Sequence, residues 1–209
     1  MITDTIVAPA TAEGKAGLSV LRVSGNLSHK ICLRLTNNKV TFVDRLPVLS
    51  PVFLGESIID RALITFFKAP RSYTGEDVFE ISCHGNPNIV SKIIDLSVEG
   101  GSTLAEPGEF TKTAFLNGKL DLSEAESVSA IIHSKSITGA KAGVKNLKGG
   151  LSNKINSVKS SLVSVVANLE FNLDISEDDL QPNLLENSKR VVRVAVESLG
   201  GFLLNFRET

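Results

Sequence analysis

Three charged side chains in the first 119 residues have types and positions suited to binding a ligand: Arg22, Glu80 and Lys119. Arg22 shares one face of an alternating segment with Leu18 and Val20, where a buried cation would be costly unless it were paired. Its planar donor fork could hold an anionic or carbonyl-bearing ligand. The alternative is an arginine on an edge strand, with a packed stem and a hydrated head. The spacing alone leaves both hypotheses open.

Glu80 and Lys119 carry the same ambiguity. The Glu80 carboxylate lies in an otherwise apolar strand and could accept two hydrogen bonds from adjacent N–H donors, such as the edge of a guanidine-like heterocycle. It could equally be an outward carboxylate on a half-exposed sheet. Lys119 follows Asn117-Gly118, a helix-stop signal after which a solvated lysine is common.

The sequence lacks the motifs for nucleotide hydrolysis and metal binding. Gly14-Lys15 and Gly118-Lys119 are followed by Ala and Leu, so neither supplies the hydroxyl with which a Walker A motif binds magnesium. The histidines are isolated from one another: His29, His84 and His133. We predict a solvated or hydrogen-bonded role for each, no metal site, no catalytic residue in this chain, and no nucleotide hydrolysis by the chain alone.

A long stretch of the second half, residues 127–169, contains lysines but no carboxylate. Its lysines are Lys135, Lys141, Lys145, Lys148, Lys154 and Lys159, and an acidic run from Glu170 to Asp179 follows. Such a face could meet phosphates in a salt-dependent way. The pattern favours the alternative of an ordinary solvated face beside acidic partners elsewhere in the molecule, because arginines and aromatic residues are missing from it.

The composition is typical of a globular protein of one or two domains. The chain has 209 residues, 42% of them hydrophobic, and a formal net charge of -1. No apolar run reaches the length of a membrane span, and the N-terminus lacks the basic flank of a signal peptide. The two cysteines, Cys32 and Cys83, are far apart, which excludes a disulfide scaffold and indicates a reducing, cytoplasmic location.

The elements that would position these side chains change character near residue 118. The first half alternates short strands and helices. The strands are predicted at 5–8, 18–23, 51–54, 62–67 and 78–83, and the helices at 28–35, at 87–99 with Asn86 as its cap, and from Pro107 to Asn117. We place the domain boundary here, with one domain over residues 1–118 and another over 119–209.

The second half reads as long helices. Ser123-Glu-Ala-Glu126 predicts a capping box in which the serine hydroxyl accepts from a free N–H and the glutamate reaches back. Apolar residues recur in steps of three and four from Ala140 to Leu173, which predicts one continuous helical stripe despite Gly149 and Gly150. A further helix is predicted from Leu184 to Phe206. The chain stops there without a cap, as expected for a truncated protein.

Several segments in order are more specific than any single residue. They are Asp4-Thr-Ile-Val-Ala8, Leu21-Arg-Val-Ser-Gly25, Tyr73-Thr-Gly-Glu-Asp-Val-Phe-Glu80, Cys83-His-Gly85, Pro107-Gly-Glu-Phe-Thr111, and Ala114-Phe-Leu-Asn-Gly-Lys-Leu-Asp-Leu122. With Ser123 to Glu126 after them, they closely resemble the MnmE (TrmE) family of tRNA modification GTPases. The resemblance extends over essentially all 209 residues and is strongest in the first 126.

That resemblance implies an α+β architecture: an N-terminal α/β tetrahydrofolate-binding domain, similar to that of aminomethyltransferases, followed by a long-helix bundle segment. It implies that the first domain dimerises and binds 5-formyl-tetrahydrofolate or a related folate. The family's ligand-contacting arginine, glutamate and lysine fall on Arg22, Glu80 and Lys119. Tyr73 stands where many relatives have phenylalanine, a mild departure.

The resemblance also implies partners and activities beyond this chain. In the family, a GTP-binding domain that needs potassium and magnesium interrupts the helical domain, and a C-terminal cysteine motif returns near the folate site; neither pattern occurs here. An FAD-dependent partner, MnmG, acts with the enzyme to add an aminomethyl or carboxymethylaminomethyl group to C5 of wobble uridine in tRNA. Two other hypotheses stay open: a purely structural dimerisation module, and a stand-alone one-carbon transferase.

Overall fold

A computed structural model describes residues 4–173 and 183–207. They contain thirteen elements in two compact units, Met1–Ala125 and Glu126–Thr209. The strands are β1 (Ile6–Pro9), β2 (Ala16–Ser24), β3 (Val48–Leu54), β4 (Ser57–Phe67), β5 (Val78–Gly85) and β6 (Thr103–Leu104). The helices are α1 (Ser28–Leu35), α2 (Pro87–Glu99), α3 (Glu109–Leu116), α4 (Leu122–His133), α5 (Ile137–Leu147), α6 (Gly150–Leu173) and α7 (Leu184–Arg207).

The first unit is built on one six-stranded sheet with the order β3-β4-β5-β2-β1-β6. All neighbouring strands are antiparallel except β1 and β6, which are parallel. The predicted alternation of β2 is observed, because Leu21 and Val23 are fully buried whereas Leu18 is exposed. The mixed α/β domain followed by helices, expected from the sequence, is thereby confirmed.

Helices α1 and α2 pack on one face of this sheet. Ile31, Leu35 and Ile93 from the helices join apolar strand residues such as Leu21 and Phe79 in a single core. Asn86 caps α2 as predicted: its side chain accepts from the backbone N–H of Asn88, and Pro87 occupies the first turn, where its missing N–H costs nothing. Neither α1 nor α2 covers the other face of the sheet, which carries Arg22 and Glu80.

Two predicted helix starts are wrong. The capping box is not Ser123 to Glu126: the Asp121 carboxylate accepts from Glu124 N at 2.9 Å, and Glu124 Oε2 accepts from Asp121 N at 2.9 Å. Helix α4 therefore begins two residues early, since Asp caps as well as Ser does. Helix α3 begins at Glu109 rather than Pro107, because Gly108 takes a left-handed conformation before it.

The continuous helix predicted from Ala140 to Leu173 is also wrong. The chain leaves the helix after Leu147 and re-enters it at Gly150, with Gly149 between them at φ +78°. A left-handed residue ends a helix, and glycine adopts that conformation without steric cost. The helix predicted from Leu184 to Phe206 is observed as α7. The acidic run between Asp174 and Asp179 lies outside the described residues.

In the second unit, α6 packs on both α5 and α7. Few apolar residues described in this unit are buried. Among them, Ala195 on α7 is the one that is less than a tenth exposed. Many apolar side chains are exposed instead, including Val163, Val166, Val194 and Val196. Across residues 4–173 and 183–207, no helix is long and apolar enough to cross a membrane.

Candidate functional site

Arg22 and Glu80 form a direct ion pair on the sheet face opposite α1 and α2. Strands β2 and β5 are antiparallel, and their register sets these two residues opposite each other. Glu80 Oε1 accepts from Arg22 Nη2 at 2.6 Å and from Nε at 3.1 Å. The side chains are 23% and 31% exposed, so both can be reached from solvent. The Arg22 cation, which would be costly to bury without a partner, is thus paired with a carboxylate.

The sheet order decides one of the alternatives for Arg22. Strand β2 lies between β5 and β1, so Arg22 is not on an edge strand. The hypothesis of an edge-strand arginine is therefore wrong. Glu80 does lie on a half-exposed face, but its carboxylate points at Arg22 rather than freely into water.

Two aromatic rings lie over the Arg22 guanidinium, one from the segment after β4 and one from helix α3. Its Cζ lies 5.1 Å from the centroid of the Tyr73 ring and 5.5 Å from that of Phe110. The Tyr73 hydroxyl lies 2.9 Å from the Thr111 hydroxyl, which joins the segment after β4 to helix α3. Cation–π contacts of this kind fix a guanidinium and leave its outer N–H groups available. No pattern in the sequence predicts these aromatic contacts, although both aromatic residues lie in segments that carry the family resemblance.

The segment from Ala69 to Asp77 connects this pair to Lys119. The Lys119 ammonium donates to the Pro70 carbonyl at 3.0 Å, and its stem lies beside Gly75. Asn117 Nδ2 donates to the Thr74 carbonyl at 2.8 Å. Lys119 thus lies against the segment whose Tyr73 contacts Arg22. Within the described residues, no hydrogen bond joins Lys119 to Arg22 or Glu80 directly.

Buried hydroxyls anchor the same segment to the sheet. The Ser24 hydroxyl, fully buried at the end of β2, donates to Glu76 Oε2 at 2.7 Å and lies 2.7 Å from Thr74 Oγ1. Thr74 is itself fully buried. Since hydrogen bonds in a dry environment are costly to break, this anchor holds Tyr73 over Arg22.

The site retains unused capacity for a ligand. Glu80 Oε1 accepts both arginine donors, and Oε2 has no hydrogen-bond partner among the described residues. Arg22 uses two of its five donors, and Lys119 uses one of its three. One face therefore offers a carboxylate acceptor, a forked cation and a point cation, flanked by aromatic rings. That set suits a flat heterocycle with adjacent N–H donors and a carbonyl or carboxylate.

A second polar pair lies at the far end of β5. Asp60 Oδ1 is 2.6 Å from His84 Nδ1, and Oδ2 accepts from His84 N at 2.8 Å. Burial raises the pKa of the Asp60 carboxyl, but the hydrogen bonds from His84 and Arg61 outweigh it, so the pKa lies below its ordinary 3.8. His84 is hydrogen-bonded, as predicted.

The two cysteines are unsuited to nucleophilic chemistry. Burial, with a smaller contribution from the Asp60 charge, raises the pKa of the Cys83 thiol to about 11. Burial raises the pKa of Cys32 well above its ordinary range. Both are free thiols that stay protonated at neutral pH. The part of the chain that the structure describes also contains no cluster of three or more metal-ligating side chains.

Comparison with known proteins assigns both halves of the chain to one group. Residues 5–119 match the family model described as "GTP-binding protein TrmE N-terminus", and residues 122–208 match "MnmE helical domain". Among curated relatives named "tRNA modification GTPase MnmE", that of Thermotoga sp. (strain RQ2) is 41% identical over 91% of this chain and 42% of its own length. That of Fervidobacterium nodosum is 43% identical over 84% of this chain and 39% of its own length.

The relative from Francisella philomiragia is similar at the same level, 41% identical over 89% of this chain and 40% of its own length. The chain therefore spans about two fifths of the length of the curated relatives that it matches.

Proposed function

The chain belongs to the MnmE family of tRNA modification GTPases, and on that premise we propose that it forms the folate-binding, dimerising end of such an enzyme together with the first part of its helical domain. Residues 1–118 would be the folate domain and residues 119–209 the helical part. The observation that carries the proposal is the Arg22–Glu80 pair, partly exposed beside Tyr73 and Phe110.

The residues present fit a reduced folate. The free Glu80 oxygen would accept from the adjacent N–H donors of the pterin edge, as a carboxylate does for a guanidine-like group. Arg22 and Lys119 would neutralise the carbonyl or carboxylate groups of the same ligand. When bound, 5-formyl-tetrahydrofolate would supply the one-carbon unit; the residues of this chain would bind and orient it.

Dimerisation is supported by the sheet face that carries the ion pair. Leu18, Leu49 and Leu63 lie on this face and are 65%, 59% and 43% exposed. Leu49 and Leu63 are paired in register on β3 and β4. Exposed apolar residues that share one face of a sheet are typical of a protein interface, and a second copy would bury them.

The remaining activities belong to the full-length enzyme. We propose that GTP, potassium and magnesium bind outside this chain, and that an FAD-dependent MnmG subunit and tRNA complete a cytoplasmic complex that modifies C5 of wobble uridine. The exposed apolar residues of α6 and α7 support a bundle completed by further helices of that enzyme. The alternative is a structural assembly module with no ligand of its own.

Calorimetric titration of 5-formyl-tetrahydrofolate into the chain tests the folate site. We expect the parent to bind and Glu80→Gln, which keeps shape but removes charge, to weaken binding at least tenfold, about 1.4 kcal/mol. Glu99→Gln is the matched control, because Glu99 pairs with Arg34 on the helical side of the sheet at 3.2 Å. A folded, dimeric parent that binds no folate would overturn the site and favour the assembly module.

Analytical ultracentrifugation tests the dimer. We expect Leu63→Glu to raise the dimer dissociation constant at least tenfold, because a charge would be buried in the interface. Val98→Glu, at a 44% exposed position on α2, should leave the dimer intact. A monomeric parent, or equal effects of the two substitutions, would contradict this interface.

A further inference from the structure

Helix α5 carries a row of lysines that the proposed folate site does not use. Lys141 and Lys145 are one turn apart, and Lys148, the residue that follows the last residue of the helix, lies a further turn along the same side. All three are exposed. We call Lys141, Lys145 and Lys148 the lysine stripe.

The packing of α5 on α4 directs the stripe away from α4. Gly143, two positions from Lys141 and therefore about 200° around the helix, is buried and faces Ile131 of α4. A Cβ at Gly143 would lie 2.6 Å from Ile131 Cγ1, so the two helices approach closely at this point. The buried side of α5 is thus fixed, and the lysines project from nearly the opposite side.

The stripe has no acidic partner among the residues that the structure describes. None of its lysines takes part in an ion pair, whereas Lys189 on α7 pairs with Glu186 at 2.8 Å. In sequence the nearest carboxylates are Glu126 and Glu170, on either side of the whole lysine-containing stretch. The hypothesis of a solvated face beside acidic partners therefore lacks its acidic partners in this part of the molecule.

We propose that the lysine stripe binds the sugar–phosphate backbone of RNA. The choice of RNA among polyanions rests on the proposed function, in which tRNA is the substrate. Lysine ammonium groups act as point charges for phosphates and read no base sequence. No arginine and no aromatic residue lies on α5, so the stripe would contribute affinity and orientation rather than recognition of a sequence.

Binding of an unmodified tRNA transcript to the full 209-residue chain, followed by fluorescence anisotropy across a series of KCl concentrations, tests the proposal. The test variant is Lys141→Gln/Lys145→Gln/Lys148→Gln. The control variant, Lys15→Gln/Lys30→Gln/Lys68→Gln, removes the same charge from exposed lysines of the first unit. A third variant, Lys141→Arg/Lys145→Arg/Lys148→Arg, keeps the charge of the stripe.

We expect the stripe variant to bind at least tenfold more weakly near about 100 mM KCl, and its slope of log affinity against log salt to fall by about 2–3, roughly 0.9 for each lost phosphate contact. The control and the arginine variant should bind as the parent does. Equal losses in the stripe and control variants, or a parent that does not bind the transcript, would overturn the proposal.

Two further measurements separate this proposal from others. Exposed Ile137 and Val144 beside the stripe would suit an acidic protein partner, so poly-L-glutamate is tested as a ligand. If poly-L-glutamate binds through the stripe and the transcript does not, the RNA assignment is wrong. Folate titration of the stripe variant should give the same affinity as the parent. A parent that binds folate but not the transcript would overturn only the stripe proposal. A parent that binds the transcript but not folate would overturn only the folate site.

Discussion

The guanidinium carbon of Arg22 lies 5.1 Å from the centre of the Tyr73 ring, while the hydroxyl of that tyrosine lies 2.9 Å from Thr111. One side chain thus performs two separable tasks. Its ring holds the ion pair in position, and its hydroxyl joins the segment after β4 to helix α3.

Substitutions at Tyr73 should separate these tasks. Tyr73→Phe keeps the ring, so we expect folate affinity within about twofold of the parent and a free energy of unfolding lower by about 0.5–1.5 kcal/mol. Tyr73→Ala removes the ring as well, and folate affinity should fall about fivefold, the worth of about 1 kcal/mol of cation–π contact. Calorimetry and urea unfolding measure the two effects.

Thr111→Val serves as the control for the hydroxyl. It should lower stability to a similar extent as Tyr73→Phe and leave folate binding unchanged, because Thr111 contacts the tyrosine hydroxyl and not the ion pair. Unchanged folate affinity in Tyr73→Ala would show that the ring does not support the site.

Gly25 should tolerate no side chain. Its φ is +127°, and a Cβ there would lie 2.6 Å from Thr5 Oγ1 and 2.7 Å from Thr5 Cα. We expect Gly25→Ala to lower the free energy of unfolding by about 2–4 kcal/mol, from backbone strain and overpacking together. In Gly17→Ala, within β2, the added Cβ meets no atom within 4 Å, and the substitution should change the free energy of unfolding by less than about 1 kcal/mol. Similar urea midpoints for the two variants would contradict this packing.

Much of the first unit could be predicted, because the deciding signals are local. The alternation around Arg22 and the cap at Asn86 depend on residues a few positions apart. The pairing of Arg22 with Glu80 depends instead on β5 lying next to β2, across 58 positions of sequence. The start of α4 was missed for another reason: Asp121 and Ser123 each have a glutamate three residues later, and both residue types cap helices.

The Asp60–His84 pair should make stability depend on pH. The folded pKa of Asp60 lies below its ordinary 3.8, so its carboxylate contributes stability above that pH and loses it as the pH falls through the folded pKa. We expect Asp60→Asn to lower the free energy of unfolding by about 1.5–3 kcal/mol at pH 7, because hydrogen bonds to a charge are lost. The difference from the parent should shrink below pH 3.8.

Asp95→Asn provides the comparison for Asp60. Asp95 is an exposed carboxylate on α2 with no hydrogen-bond partner among the described residues. In urea unfolding, the free energy of unfolding of Asp95→Asn should differ from that of the parent by nearly the same small amount at pH 7 and at pH 3. A difference for Asp60→Asn that is independent of pH would mean that its carboxylate charge does not stabilise the fold.

Gly149 distinguishes the broken helix from the continuous helix that the apolar stripe predicts. In a continuous helix, replacing glycine with alanine stabilises the protein by about 1 kcal/mol. In the observed break, Gly149 has a φ of +78°, where an alanine costs about 1–2 kcal/mol. We therefore expect Gly149→Ala to lower the free energy of unfolding. Gly200→Ala should raise it by up to about 1 kcal/mol, because Gly200 lies within α7 with nothing within 4 Å of its Cβ position. Urea unfolding followed by circular dichroism measures both changes in the free energy of unfolding. Changes of opposite sign would establish the break between α5 and α6, whereas stabilisation by both substitutions would favour one continuous helix.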